Sequence, residues 1–176
     1  LEEGLDPGGP DLAHLEGTLK GEVLADPDRF IEPDPEVVPM LIDQREAGRQ
    51  LILITNSDWE YAENILTHVF DPRLPGGQTW QDLFDTVIVS ANKPDFFDGD
   101  HRLYRVVDEN RALLRPQYGA MEPGGVYFGG CARRVEESLG LSGEEILYVG
   151  DHLFGDVHAS KAALRWRRTT SSTRGP

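Results

Sequence analysis

Three short apolar runs constrain the fold of this chain more than any other feature. They are residues 51–54 (LILI), 86–89 (TVIV) and 146–149 (ILYV), and each leads into a polar cluster. A continuous apolar run of this length is typical of a strand that is buried on both faces of a sheet. Segments with helical spacing separate the runs, so the pattern predicts a parallel sheet with helices on both faces, a three-layer α/β fold.

Four helices are expected around these strands, each with an apolar face at helical spacing. Their ends are marked by capping residues and glycines: Asp34 with Pro35 and Gly48 for the first, Ser57 with Glu60 for the second, Gly129-Gly130 and Gly140 for the third, and Asp156 for the last. Residues 91–125 mix polar and apolar positions without a clear period, and we expect mainly loops there.

Charge and cysteine content limit the classes of partner. The net charge of −14 makes nucleic-acid phosphates and anionic membrane lipids unsuitable partners. No apolar run has the length of a membrane span. The single cysteine, Cys131, allows no internal disulfide and fits a reducing compartment, so we expect a cytoplasmic protein. A homo-oligomer stays open.

Both ends of the chain differ in composition from the segment between them. Residues 1–11 are acidic and rich in Gly and Pro, which predicts a flexible lead-in and not a signal peptide. Residues 169–176 are polar, and we expect a tail there and a sheet strand missing after Trp166. The chain does not begin with Met, so we expect a fragment, with a partial core domain over residues 12–168.

Two carboxylates follow the third run. Asp151 comes directly after Gly150, and Asp156 lies five residues further on. Because carboxylate oxygens are the ligands that Mg²⁺ takes from proteins, Asp151 is a candidate direct ligand, and Asp156 a ligand through water or an orienting group. The alternative interpretation is structural: Asp156 caps the last helix, and Asp151 only ends the strand.

Polar residues also follow the first two runs. Thr55 and Asn56 lead from a strand into a helix, where a hydroxyl, an amide and the first N–H groups of the helix can bind phosphate. Lys93 lies after the second strand, where its charge can neutralise a phosphate. The structural alternatives are that Thr55 only caps the helix and that Lys93 is a solvated surface residue.

Together, these clusters are more specific than each is alone. The order strand-Thr55-Asn56, strand-Lys93-Pro94 and strand-Gly150-Asp151-x₄-Asp156 resembles motifs two, three and four of the haloacid dehalogenase (HAD) superfamily. The segments LITNSDWEY, FDTVIVSANKPDFF and ILYVGDHLFGD are similar to the cytosolic purine 5′-nucleotidase family. The resemblance extends over residues 12–168, nearly the whole chain.

The resemblance implies a Rossmann-like (HAD-like) core, an Mg²⁺ cofactor and hydrolysis of purine nucleoside 5′-monophosphates through an aspartyl-phosphate. It implies that Thr55, Asn56 and Lys93 bind phosphate and that Lys93 also steadies the nucleophile. Asp151 would be catalytic as a ligand of Mg²⁺, and Asp156 would complete the metal loop.

The nucleophile that the resemblance implies is not found. In the family, a first strand carries Asp-x-Asp-x-Thr, followed by a large cap, and neither is recognisable here. The one Asp-x-Asp before Thr55 is Asp26-Pro27-Asp28, which follows an apolar stretch too short for a buried strand. We therefore expect the isolated chain to be inactive.

Three other functions remain as alternatives. One is a non-catalytic HAD-like module that binds a ligand or a partner. Another is a small-cap phosphatase of the same superfamily that uses Asp26 and Asp28. A dinucleotide-binding oxidoreductase is disfavoured, because no glycine fingerprint follows the first strand.

Overall fold

The computed structural model describes residues 12–108, 113–150 and 166–170. The helices are α1 (Leu12–Ala25), α2 (Pro27–Phe30), α3 (Val37–Glu46), α4 (Trp59–Phe70), α5 (Asp95–Asp98) and α6 (Ala132–Leu139). The strands are β1 (Ile52–Ile54), β2 (Thr86–Val89), β3 (Leu103–Asp108), β4 (Leu113–Pro116), β5 (Gly125–Gly129), β6 (Leu147–Gly150) and β7 (Arg167–Thr170). Four short 3₁₀ turns connect them, at Asp71–Arg73, Pro75–Gly77, Trp80–Leu83 and Gly143–Glu145.

The strands form a five-stranded sheet in the order β1-β2-β5-β3-β4 and a separate pair, β6-β7. Strands β1, β2 and β5 are parallel, and so are β6 and β7. Strand β3 runs antiparallel to both β4 and β5. The α/β, Rossmann-like class predicted from the sequence is confirmed. The expectation of a purely parallel sheet is wrong, because the chain between β2 and β5 adds an antiparallel hairpin.

Helices cover both faces of the sheet, as predicted. One face, with Ile88 and Tyr127, packs against α5 and α6 through Phe96, Phe97 and Val135. The opposite face, with Val87, Val89 and Val126, packs against α4 through Ala62 and against Trp80. Side chains on one strand alternate between the two faces, so β2 contributes Ile88 to one cluster and its neighbours to the other.

Only the middle run is fully buried. All four residues of β2 are buried, since β2 has a neighbouring strand on each side. Strand β1 is half-buried because it lies at an edge of the sheet formed by the described residues. In β6, Tyr148 is buried, whereas Leu147 and Val149 are 56% and 57% exposed. Burial on both faces, predicted for all three runs, is therefore wrong for β1 and β6.

The first predicted helix exists, but it starts later than expected. Its N-cap is Glu36 and not Asp34, whose carboxylate instead accepts a hydrogen bond from the Glu36 N–H. At the other end, Gly48 has φ +76°, and the N–H groups of Gly48 and Arg49 donate to carbonyls of the last helical turn. This is a Schellman motif, and it agrees with the predicted glycine stop.

The polar segment after Trp166 forms a strand, so the prediction that a strand is missing there is wrong. Strand β7 pairs with β6 from Leu147↔Arg167 to Gly150↔Thr170. Trp166, 5% exposed, anchors it through an indole N–H that donates to Glu136 of α6 at 2.7 Å. Main-chain pairing does not depend on side-chain polarity, so a polar edge strand is easily taken for a tail.

None of the helices within the described ranges combines the length and the apolar character needed to cross a bilayer.

Candidate functional site

The loops that follow β1 and β2 are joined by main-chain hydrogen bonds. The Thr55 N–H donates to the Ile88 carbonyl at 2.9 Å, and the Ala91 N–H donates to the Thr55 carbonyl at 3.0 Å. The Ser90 N–H donates to the Ser57 carbonyl at 2.8 Å. Because β1 and β2 are parallel neighbours, their carboxyl ends reach the same edge of the sheet, where ligands bind in open α/β folds.

The loop after β2 holds two residues in the left-handed region. Ser90 has φ 48° and Asn92 has φ 59°, and they flank Ala91, which is 1% exposed. A residue other than glycine in this region costs on the order of 1–3 kcal/mol, so the surrounding structure must hold it there. Strain of this kind is often found at functional sites, and here it immediately precedes Lys93.

The Asn56 side chain forms hydrogen bonds with both the N–H and the carbonyl of Lys93. Its Oδ1 accepts from the Lys93 N–H at 2.6 Å, and its Nδ2 donates to the Lys93 carbonyl at 3.0 Å. Asn56 and Lys93, two of the three predicted phosphate-binding residues, are therefore in direct contact, although 37 positions separate them in the chain.

Thr55 is oriented as a donor at the same edge. Its Oγ1 accepts from the Ser57 N–H at 3.1 Å, and Thr55 itself is half-buried. Within the described residues its hydroxyl proton donates to no acceptor, and neither does the Asn56 main-chain N–H. These two donors have the chemistry that phosphate oxygens accept from, and phosphate binding by Thr55 and Asn56 stays a prediction.

The Lys93 ammonium group reaches from the loop after β2 to strand β6. Its Nζ donates to the Tyr148 hydroxyl at 3.0 Å and lies 5.6 Å from the centre of the ring. Tyr148 is 8% exposed, and its ring packs against Phe97 and Trp166 at centroid distances of 5.1 and 6.3 Å. The Phe97 and Trp166 rings are themselves 6.0 Å apart. The hydroxyl that meets Lys93 thus belongs to a ring packed within an aromatic cluster. Sequence reasoning missed Tyr148, because it reads as one apolar member of the run at 146–149.

The predicted metal residues, Asp151 and Asp156, lie outside the described residues. Strand β6 ends at Gly150, directly before Asp151 in the sequence. Among the described residues, no group of three or more His, Cys, Asp or Glu is arranged to hold a metal ion. The Mg²⁺ site therefore stays a prediction, whereas the positions of Thr55, Asn56 and Lys93 at one edge are shown.

Asp26 and Asp28 lie away from this edge. Asp26 precedes α2, and Asp28, within α2, lies at hydrogen-bond distance, 2.9 Å, from His68 Nε2 near the carboxyl end of α4. Helix α4 has 12 residues, so it is about 18 Å long. Thr55 precedes the opposite end of α4, and the Asp28 side chain is 85% exposed. This position favours the interpretation of Asp26-Pro27-Asp28 as a connecting segment.

Helix α4 begins at a different cap from the one predicted. Its N-cap is Asp58, whose Oδ1 accepts from the Tyr61 N–H at 2.9 Å, and the predicted pair of Ser57 and Glu60 is not used. Partial burial raises the pKa of the Asp58 carboxyl, but the Tyr61 N–H and the Lys20 ammonium outweigh it and bring this pKa below its ordinary value. The helix start beside Thr55 is thus capped by an ionised carboxylate.

Comparison with known proteins identifies the family of this chain. The sequence pattern of the 5′ nucleotidase family matches residues 10–170. The chain is 30% identical over 154 residues to the human protein 5′-nucleotidase domain-containing protein 2, an alignment that covers 88% of this chain. The chain spans 28% of the length of that relative. The α/β fold is consistent with the HAD-like superfamily, and this chain belongs to the 5′ nucleotidase family.

Proposed function

We propose that the protein of which this chain forms part hydrolyses purine nucleoside 5′-monophosphates, and that this chain supplies the phosphate-binding half of the site. The observation that carries the proposal is the contact between the Thr55–Asn56 loop and Lys93 at the carboxyl ends of β1 and β2. Family membership supports a phosphohydrolase of the nucleotidase type.

Each of the three residues has a distinct role in binding a phosphate monoester. The Thr55 hydroxyl and the Asn56 main-chain N–H donate to phosphate oxygens, and the Lys93 ammonium group neutralises part of their charge. Local positive charge matters in a chain with a net charge of −14, because the surface as a whole repels a phosphate ester. In the transition state the charge on the phosphoryl oxygens is spread out, and these fixed donors stabilise it.

Asp151 and Asp156 would hold Mg²⁺. Two carboxylates suit this ion, which takes few protein ligands and keeps several waters. When bound, Mg²⁺ supplies positive charge at the phosphoryl oxygens. Lys93, through Tyr148 on strand β6, is linked to the strand that precedes these carboxylates.

The nucleophile is proposed to come from a strand outside this chain. That strand would bring the Asp-x-Asp pair of the family, of which the first carboxylate attacks phosphorus and the second activates water against the aspartyl-phosphate. Within the described residues, β1 and β6 each pair with a strand on one side only. Their other edges therefore offer main-chain groups to an added strand.

We place the protein in the cytoplasm, in keeping with its single cysteine.

The decisive experiment is phosphate release from IMP, GMP and AMP, with and without Mg²⁺. We expect no release by the 176-residue chain, and Mg²⁺-dependent release once the upstream coding segment is joined to it. In that longer protein, Asp151→Asn should abolish release, whereas Asp26→Asn should leave it unchanged. Release by the short chain that is lost in Asp26→Asn would contradict the proposal and make Asp26 the nucleophile.

A further inference from the structure

We infer that the Asn56 side chain is a positioning residue that holds Lys93 in place, and that it is not itself a phosphate ligand. The inference rests on the proposed function, because Lys93 is there the cation that meets phosphate. The two polar groups of Asn56 then have different partners. The main-chain N–H donates to the phosphate ligand, and the side-chain amide binds the protein.

Each polar atom of this side chain makes one hydrogen bond to the main chain of Lys93. The Lys93 N–H lies 2.6 Å from Oδ1, and the Lys93 carbonyl lies 3.0 Å from Nδ2. A primary amide that accepts from the N–H and donates to the carbonyl of one residue forms a closed two-bond contact. Both bonds restrain the same residue, so they fix its orientation as well as its position.

Lys93 needs such a restraint because no helix or strand holds it. It lies between β2 and α5, after Ser90 and Asn92, which are both in the left-handed region. The loop is attached to the residues after β1 by the main-chain bonds of Ser90 and Ala91, and Asn56 adds the last two bonds at Lys93. With the main chain fixed there, the long side chain can place Nζ 3.0 Å from the Tyr148 hydroxyl.

An asparagine that acts through Lys93 and one that binds phosphate itself differ in a double-mutant cycle. If Asn56 acts only through Lys93, its replacement should matter only while Lys93 is present. If its amide donates directly to phosphate, the loss should be similar with and without Lys93. Inorganic phosphate is the probe, because the cycle needs one ligand whose affinity can be measured for the parent chain and for all three variants.

The experiment titrates phosphate into the ¹⁵N-labelled 176-residue chain and its variants Asn56→Ala, Lys93→Ala and the double variant. We expect Asn56→Ala to weaken phosphate binding by about threefold to tenfold, the effect of one or two hydrogen bonds. In the Lys93→Ala background, the same replacement should change the affinity by less than about 1.5-fold. An equal loss in both backgrounds would overturn the inference.

Hydrogen exchange at the Lys93 main-chain N–H tests the contact without any ligand. Exchange should be faster in Asn56→Ala than in the parent chain, and Asn56→Asp, which keeps the acceptor oxygen, should restore most of the protection. Asn64→Ala is the matched control, because the Asn64 Nδ2 donates to the Glu60 carbonyl on the exposed side of α4. It should leave both phosphate binding and Lys93 exchange unchanged.

The two measurements separate the inference from the proposed function. If the parent chain binds no phosphate, or Lys93→Ala binds it as well as the parent does, the proposed function fails. The exchange result then decides the positioning role alone. Lys93 exchange that is the same in Asn56→Ala and in the parent chain would overturn that role whatever the phosphate titration shows.

Discussion

Four consecutive polar residues after β1 have four different roles, and only some of these roles are visible in the sequence. Thr55 and Asn56 lie at the edge of the sheet where Lys93 also lies, whereas Asp58 caps α4 in place of Ser57. The Ser57 N–H donates to Thr55 Oγ1, and the Ser57 carbonyl accepts from Ser90, so Ser57 belongs to the loop and not to the helix. Which of several adjacent capping residues is used depends on main-chain dihedrals that no local pattern specifies.

At pH 7, replacing Asp58 by Ala should lower the free energy of unfolding by about 1 kcal/mol, because the Tyr61 N–H loses its capping acceptor. Asp58→Asn keeps a capping oxygen but removes the charge, which weakens the hydrogen bond from the Tyr61 N–H and removes the attraction to the Lys20 ammonium 3.4 Å away. Its cost should therefore be a few tenths of a kcal/mol, roughly 0.2–0.5. Urea unfolding of the three proteins measures both differences.

The pH dependence of this difference has a definite sign. The pKa of Asp58 is lower in the folded chain than its ordinary value, so ionisation favours folding. That contribution is complete above about pH 4 and is lost as the pH falls through the folded pKa. The stability difference between the parent chain and Asp58→Asn should therefore shrink below about pH 4. A difference that stays constant down to pH 2 would contradict the assigned role of the charge.

At the scale of whole elements, strong periodicity was predictive and irregular segments were not. Strand β2 and helices α4 and α6 lie where the apolar spacing placed them. The hairpin of β3 and β4 lies in the segment that was expected to be mainly loop. Its register shifts between Val106 and Asp108, and this irregularity breaks the alternation of side chains by which a strand is recognised in a sequence. Strand β5 was missed because two of its five residues are glycines at its ends, which read as turn signals.

The predicted glycine stop of α6 can be tested by substitution. Gly140 is the C-cap, with φ +65°, and a Cβ there would meet no atom within 4 Å. Gly140→Ala should lower the free energy of unfolding by about 1 kcal/mol through main-chain strain alone, since a side chain disfavours this conformation. The measurement is again urea unfolding.

Gly21 is the matched control for that substitution. It lies inside α1, has equally open surroundings and lacks the positive φ. Gly21→Ala should raise the stability by about 0.5–1 kcal/mol, because alanine is the better residue inside a helix. If both substitutions shift stability in the same direction, the strain at Gly140 is not what determines its effect.

At the scale of the whole molecule, the sequence predicted which residues meet at one edge of the sheet but not the contacts that hold them there. The rule that parallel strands end at one edge was enough to bring Thr55, Asn56 and Lys93 together. The side-chain contacts of Lys93 with Asn56 and Tyr148 join residues 37 and 55 positions apart. Contacts at such separation follow from the packing of three strands and their loops, which local spacing does not encode.

The edge of β1 that faces away from β2 gives the last prediction. The Thr55 N–H donates to β2, so by alternation the Leu53 amide also points to β2, and those of Ile52 and Ile54 point to the other edge. If an upstream strand pairs with β1, joining that segment should slow exchange at Ile52 and Ile54 by roughly tenfold, while Leu53 changes little. Leu114 in β4, at the opposite edge of the sheet, is the control. Equal slowing at all four amides would indicate general stabilisation, and no slowing at Ile52 and Ile54 would place the nucleophile strand elsewhere.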